Sequence, residues 1–124
     1  MSHKILIAEP EQESRERLSK LAGREGLDPY PAGSGSEAVR VVRTIPFDVA
    51  LMELYLPDLS AFELLGTIRR LRRRVHSVIL VESTSKELQM KVMNAGVYTV
   101  IKKPFSDEVV TFTIHEILRK FFPG

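Results

Sequence analysis

Cysteine is absent from the 124 residues. That excludes a disulfide framework, a thiolate nucleophile and any zinc or iron–sulfur site built on thiolates. No apolar run approaches the ~20 residues that a membrane-spanning helix needs. Met1-Ser2-His3-Lys4 precedes only a short apolar stretch and lacks the long hydrophobic region of a secretory signal. A cytoplasmic location is therefore the expectation. Charge of one sign is also scarce: 18 Lys and Arg against 16 Asp and Glu leave +2, too small an excess to argue for nucleic acid. The three histidines, His3, His76 and His115, are scattered without metal-ligand spacing. Gly33-Ser34-Gly35 is too short for a phosphate-cradling loop and lacks a following lysine. No Ser-His-Asp constellation can be read, and there is no linker, low-complexity segment or internal repeat. With 44% hydrophobic and 27% charged residues, the composition is that of an ordinary globular chain, read as a single domain over 1–124.

What is present is an alternation of short apolar runs and amphipathic stretches. Lys4 to Ala8 is a buried strand, too short for a helix. Residues 11–25 place Leu18, Leu21 and Ala22 on one helical face, with Gly26 as the stop. Pro29 to Ala32 is a second strand whose prolines suit a sheet edge. Ser34 or Ser36 caps the next helix, which buries Ala38, Val41, Val42 and Ile45. The stretch from Phe47 to Leu54 contains a third strand, Val49-Ala50-Leu51-Met52, ending in the acid Glu53. Phe62, Leu65, Ile68 and Leu71 mark a third helix, and Val78 to Val81 a fourth strand. Leu88, Val92 and Ala95 line a fourth helix stopped by Gly96. Tyr98 to Ile101 is the fifth strand, and Ser106 or Asp107 caps a last helix ending near Phe121. Five strands alternating with five helices imply a parallel sheet with helices on both faces. Chemistry in such a sheet sits beyond the carboxyl ends of the strands. Those ends carry Glu9, Glu53, the 81–83 stretch and Lys103.

Over its whole length the chain resembles the receiver domain of two-component response regulators. The resemblance is carried by Ile5 to Glu9, Arg24 to Leu27, Ala32 to Ala38, Phe47-Asp48-Val49 through Leu56-Pro57-Asp58, Asn94-Ala95-Gly96 and Lys103-Pro104-Phe105, in that order. It implies a flavodoxin-like (βα)5 three-layer α/β sandwich. It also implies an aspartate phosphoacceptor after the third strand, two acids after the first for Mg²⁺, a hydroxyl after the fourth, and an aromatic and a lysine in and after the fifth. Here the acceptor position is Glu53 and the acid pair is Glu9-Pro10. The hydroxyl position falls on Val81 or Glu82, with Ser83 next door, and the aromatic position on Val100. Only Lys103 matches. Glu53 pushes its carboxylate about 1–1.5 Å beyond an aspartate's, and a 1 Å misplacement can cost roughly a hundredfold in rate. The expectation is a pseudoreceiver, not an enzyme, with no cofactor and weak or absent Mg²⁺ binding. It would signal through protein–protein contact independent of phosphorylation. The competing reading is a divergent phosphoacceptor modified at Glu53.

Four further expectations follow. Glu53 pairs with Lys103 where a phosphoryl group would have met the lysine. Glu9, Glu53 and Glu82 read as three solvated glutamates at a cleft mouth in preference to a crowded set that raises at least one carboxyl pKa. Arg69-Arg70-Leu71-Arg72-Arg73-Arg74 reads as a solvated helix end in preference to a nucleic-acid contact, since no aromatics interleave with it. Val110, Ile114, Ile117 and Leu118 face the core from the last helix, so that Val109 and Phe112 either point away as a partner or homodimer face or are buried by a rolled helix register. The protein partners that the resemblance implies are a histidine kinase or an output protein.

Overall fold

Apolar side chains on both faces of every central strand leave the sheet no surface to show to water, so helices must cover it twice. The computed structural model, which describes residues 3–71 and 74–124, has that arrangement. In chain order the elements are β1 (Lys4–Ala8), α1 (Gln12–Arg24), β2 (Asp28–Ala32), α2 (Gly35–Thr44), β3 (Val49–Glu53), α3 (Ala61–Arg70), β4 (His76–Val81), α4 (Lys86–Asn94), β5 (Thr99–Lys102) and α5 (Asp107–Phe121). The five strands are parallel in the order β2-β1-β3-β4-β5. The proline-bearing β2 lies at the edge, where Pro29 and Pro31 need not donate to a second neighbour.

The two-residue period of the strands sorts the core into two layers. Ile5, Ile7, Val49, Leu51, Val78 and Leu80 pack against Leu18 and Leu21 of α1 and Val110, Ile114 and Ile117 of α5. Leu6, Ala8, Ala50, Met52, Ile79 and Val81 face Ala38 and Val42 of α2, Leu64, Leu65 and Ile68 of α3, and Val92 of α4.

Local chemistry sets the element ends. Serines 34, 60, 85 and 106 each cap a helix, accepting a backbone N–H three residues on. At α3, Glu63 returns the bond to the Ser60 N–H and completes a capping box. Gly26 and Gly96 take positive φ, +88° and +69°, in the turns after α1 and α4. Two sequence expectations need correction. Leu71, assigned to the apolar stripe of the third helix, lies at its C-cap and is exposed, because the helix ends before it can turn inward. Glu11 is the N-cap of α1 and not part of the helix, and its side chain makes no capping bond. Val41 and Ile45 are partly buried against the core, as are Leu88 and Ala95.

Candidate functional site

The ladder continues one residue past three strands. Glu9 N–H donates to Ala32 O (3.0 Å), Leu54 N–H to Leu80 O (2.9 Å) and Lys103 N–H to Val81 O (2.8 Å). These bonds fix the backbones from which Glu9, Glu53 and Lys103 project at one end of the sheet. Adjacent strands lie about 4.8 Å apart, so a side chain after β5 must pass over β4 to meet acids on β3 and β1. A lysine and two glutamates are long enough to close that span. Lys103 Nζ stands 2.6 Å from Glu9 Oε1 and donates to Glu53 Oε1 at 3.2 Å.

Each carboxylate is held by its other oxygen. Glu9 Oε2 accepts the N–H of Glu11 (3.2 Å), and Glu53 Oε2 accepts the N–H of Leu54 (3.1 Å). Both Oε1 atoms are thereby left to the ammonium. Glu9 is completely buried and Glu53 is 9% exposed. Glu9 Oε1 lies in close ionic contact with Nζ, the shorter of the lysine's two carboxylate contacts. Arg15 Nη1 donates to the carbonyls of Glu9 and Pro10 and fastens the loop from which Glu9 projects.

Two carboxylates facing one ammonium leave a surplus negative charge. Burial pushes the Glu53 pKa up. Lys103 pulls it back and Glu9 adds to the rise, so the net shift is upward. For Lys103, burial acts against the charged form, but the two carboxylates outweigh it and its pKa is raised. Glu53 therefore takes up a proton more readily than an ordinary glutamate, while the lysine stays charged.

The structure thus gathers Glu9, Glu53 and Lys103, including the expected Glu53–Lys103 pair. Glu82 is not one of the gathered acids. It lies exposed beyond β4 and contributes nothing to the shift at Glu53, because the chain turns outward after Val81. Val81 ends β4 with its side chain in the core, and Val100 is half-buried in β5. Pro10 is exposed and offers no side-chain oxygen. These residues fit a divalent metal ion poorly: the two available carboxylates already face an ammonium. Val109 and Phe112 are exposed on α5, the outward of the two arrangements that their spacing allows. Of the arginine run, Arg69 donates to Ala95 O and Arg70 to Thr67 Oγ1, while Arg72 and Arg73 lie outside the described residues.

Sequence reasoning missed two contacts. One is the closer of the lysine's two partners, Glu9, whose distance from Lys103 is set only by strand order. The other is Asp58, whose carboxylate accepts the N–H groups of Gly35 (2.7 Å) and Ser36 (2.8 Å) and so ties the β3–α3 loop to the start of α2. A Cβ on Gly35 would strike Asp58 and Leu59, and the Gly-Ser pair after a turn was the only signal of it. A cavity of about 580 Å³ opens beside Lys103, lined by Glu11, Arg17, Glu82, Pro104 and Phe105 among others.

The family model described as "Response regulator receiver domain" matches residues 5–115. The chain is 25% identical over 117 residues to the cell cycle transcriptional regulator CtrA of Caulobacter vibrioides, covering 94% of this chain and 51% of that protein. It is 24% identical to the cell cycle response regulator CtrA of Brucella ovis, covering 94% and 50%. The chain therefore spans about half the length of the curated relatives it matches. Among solved structures, a CheY-like receiver domain protein from Methanospirillum hungatei superposes with a TM-score of 0.87 at 24% identity, covering 97% of this chain and 96% of that one. A two-component response regulator from Clostridium difficile superposes at 0.88 and 21%, covering 98% and 99%.

Proposed function

The chain belongs to the response regulator receiver domain family, and we propose that within two-component signalling it acts as a pseudoreceiver, by protein contact and without a phosphorylated state. The observation that carries this reading is the Lys103 ammonium lodged between Glu9 and Glu53. A phosphoryl group on an acidic side chain would bring negative charge to that lysine. Glu53 already supplies a carboxylate there, from a side chain one methylene longer than the aspartate of the family pattern. Pro10 removes an acid that would help hold Mg²⁺, and Val81 or Glu82 stands where the hydroxyl is expected. The missing groups all act on one transition state, whose developing charge depends on such stabilisers.

On this reading the domain needs no cofactor and catalyses no reaction. It works through a kinase, an output protein or a second copy of itself, with Val109 and Phe112 on α5 as the contact face. The experiment is intact mass after incubation with a small phosphodonor and Mg²⁺, beside a Glu53→Asp, Pro10→Asp double variant. Wild type is expected to stay unmodified. A phosphoryl mass shift on wild type, lost in Glu53→Gln, would replace this reading with that of a divergent phosphoacceptor.

A further inference from the structure

We infer that the Lys103 ammonium is the resident cation of this pocket, holding Glu9 and Glu53 together as a divalent metal ion otherwise would, so that the wild-type pocket excludes such an ion. The inference rests on the receiver reading only for the expectation that a metal belongs there. The rest is geometry.

Each glutamate spends one oxygen on a backbone N–H, and the two that remain both face Nζ, at 2.6 and 3.2 Å. A divalent cation would bind those same oxygens at about 2.0–2.6 Å. That places it within a few ångströms of the ammonium, where like charges repel strongly because the medium screens them poorly. Glu9 Oε1 points the same way. It is fully buried, and the ammonium 2.6 Å away is the cation that compensates its charge. The exclusion is electrostatic: the family pattern holds this lysine beside a metal, but with a second acid after the first strand, and with Pro10 at that position the ammonium takes both carboxylates that remain. Removing the ammonium while keeping the bulk, by Lys103→Met, leaves two buried carboxylates facing each other with no counter-charge. That pair is a two-carboxylate site for Mg²⁺ or Mn²⁺.

The test needs no phosphodonor, so it is independent of the mass measurement above. Paramagnetic Mn²⁺ is titrated into the isotope-labelled protein, and thermal unfolding is followed with rising MgCl2 at ionic strength balanced by NaCl. In wild type, the amide signals of Glu9, Glu53 and Lys103 are expected to keep their widths, and Tm to be unmoved by Mg²⁺. In Lys103→Met, the signals of Glu9 and Glu53 should broaden selectively, and a lowered Tm should climb as Mg²⁺ is added, as ligand linkage requires. Selective broadening in wild type overturns the inference. So does a folded Lys103→Met that gains no metal response. If Lys103→Met does not fold alone, Lys103→Gln is used as well. Folding of either variant restored by Mg²⁺ supports the inference, and failure of both to respond overturns it.

Discussion

Lys103 concentrates the energetics of the site at one residue. Breaking a buried ion pair by removing one partner costs about 3–5 kcal/mol, because the charge left behind is unpaired. Lys103→Ala should therefore destabilise the domain by about 3 kcal/mol, measured by chemical unfolding at neutral pH. Glu53→Gln should do the reverse of what its place in an ion pair suggests. Glu53 has a raised pKa, so the folded state holds its proton to higher pH than the unfolded state does. Its contribution to stability is full below the unfolded value of 4.5 and declines as pH rises through the raised folded value. Replacing it by an amide should remove that decline and flatten the stability profile upward from pH 4.5. A profile that keeps its slope in Glu53→Gln would assign the titration to another group. Asp58 acts in the opposite sense: the Ser36 and Gly35 amides hold its pKa below the ordinary range. Asp58→Ala should free those two amides, read as faster hydrogen exchange at Gly35 and Ser36.

At the scale of the element, the helices differ in how they are anchored. α3 buries Ala61, Leu64, Leu65 and Ile68 and carries a capping box, whereas α4 buries only Val92 and exposes Met90 and Met93. Opening free energy follows buried apolar contact. Amides of α4 should exchange well before those of α3, as hydrogen-exchange mass spectrometry of the two segments would report. On α5, Phe112 is 66% exposed while Val110, Ile114 and Ile117 reach the core. Phe112→Glu should leave the unfolding midpoint within about 0.5 kcal/mol of wild type, as surface substitutions do, and weaken any self-association seen by analytical ultracentrifugation. Loss of folding in that variant would place Phe112 in the core.

Across the whole molecule, the two poles of the sheet titrate in different directions. At the pole opposite the Glu9–Glu53–Lys103 site, His76 opens β4 and stacks on Phe121 at 3.9 Å, with Phe122 edge-on. Burial lowers its pKa, Arg74 lowers it further, and Asp48 opposes both. The unfolded chain thus takes up a proton first, near 6.5, and stability contributed by the neutral ring is lost as pH falls from there toward the lower folded value. His76→Phe, which keeps the stacking, should remove that loss. At the other pole, the pKa of Lys103 is raised above 10.5, so its contribution is complete below that pH and disappears as pH climbs through the folded value. Stability should therefore fall off on both sides of neutrality for separate reasons, separable by His76→Phe and Lys103→Ala.

Much of this was legible in the residues themselves. Element type and order follow from local periodicity, from the cap residues before α2 and α5, and from glycines at the ends of α1 and α4, because these are short-range properties of the chain; the caps at Ser60 and Ser85 emerged only from the structure. The prolines of β2 marked the edge strand for the same reason: a missing N–H matters wherever the strand sits. The spacing of Val109 and Phe112 against Val110, Ile114 and Ile117 allowed an outward face or a rolled register that buries them, and the structure exposes both. Tertiary structure alone decided which acids meet. Glu9 and Lys103 are 94 positions apart in the chain, and only the order β2-β1-β3-β4-β5 brings them to 2.6 Å while leaving Glu82 outside. The same packing set the balance of burial against pairing at Glu53, a sum over neighbours from three strand ends that no local pattern encodes.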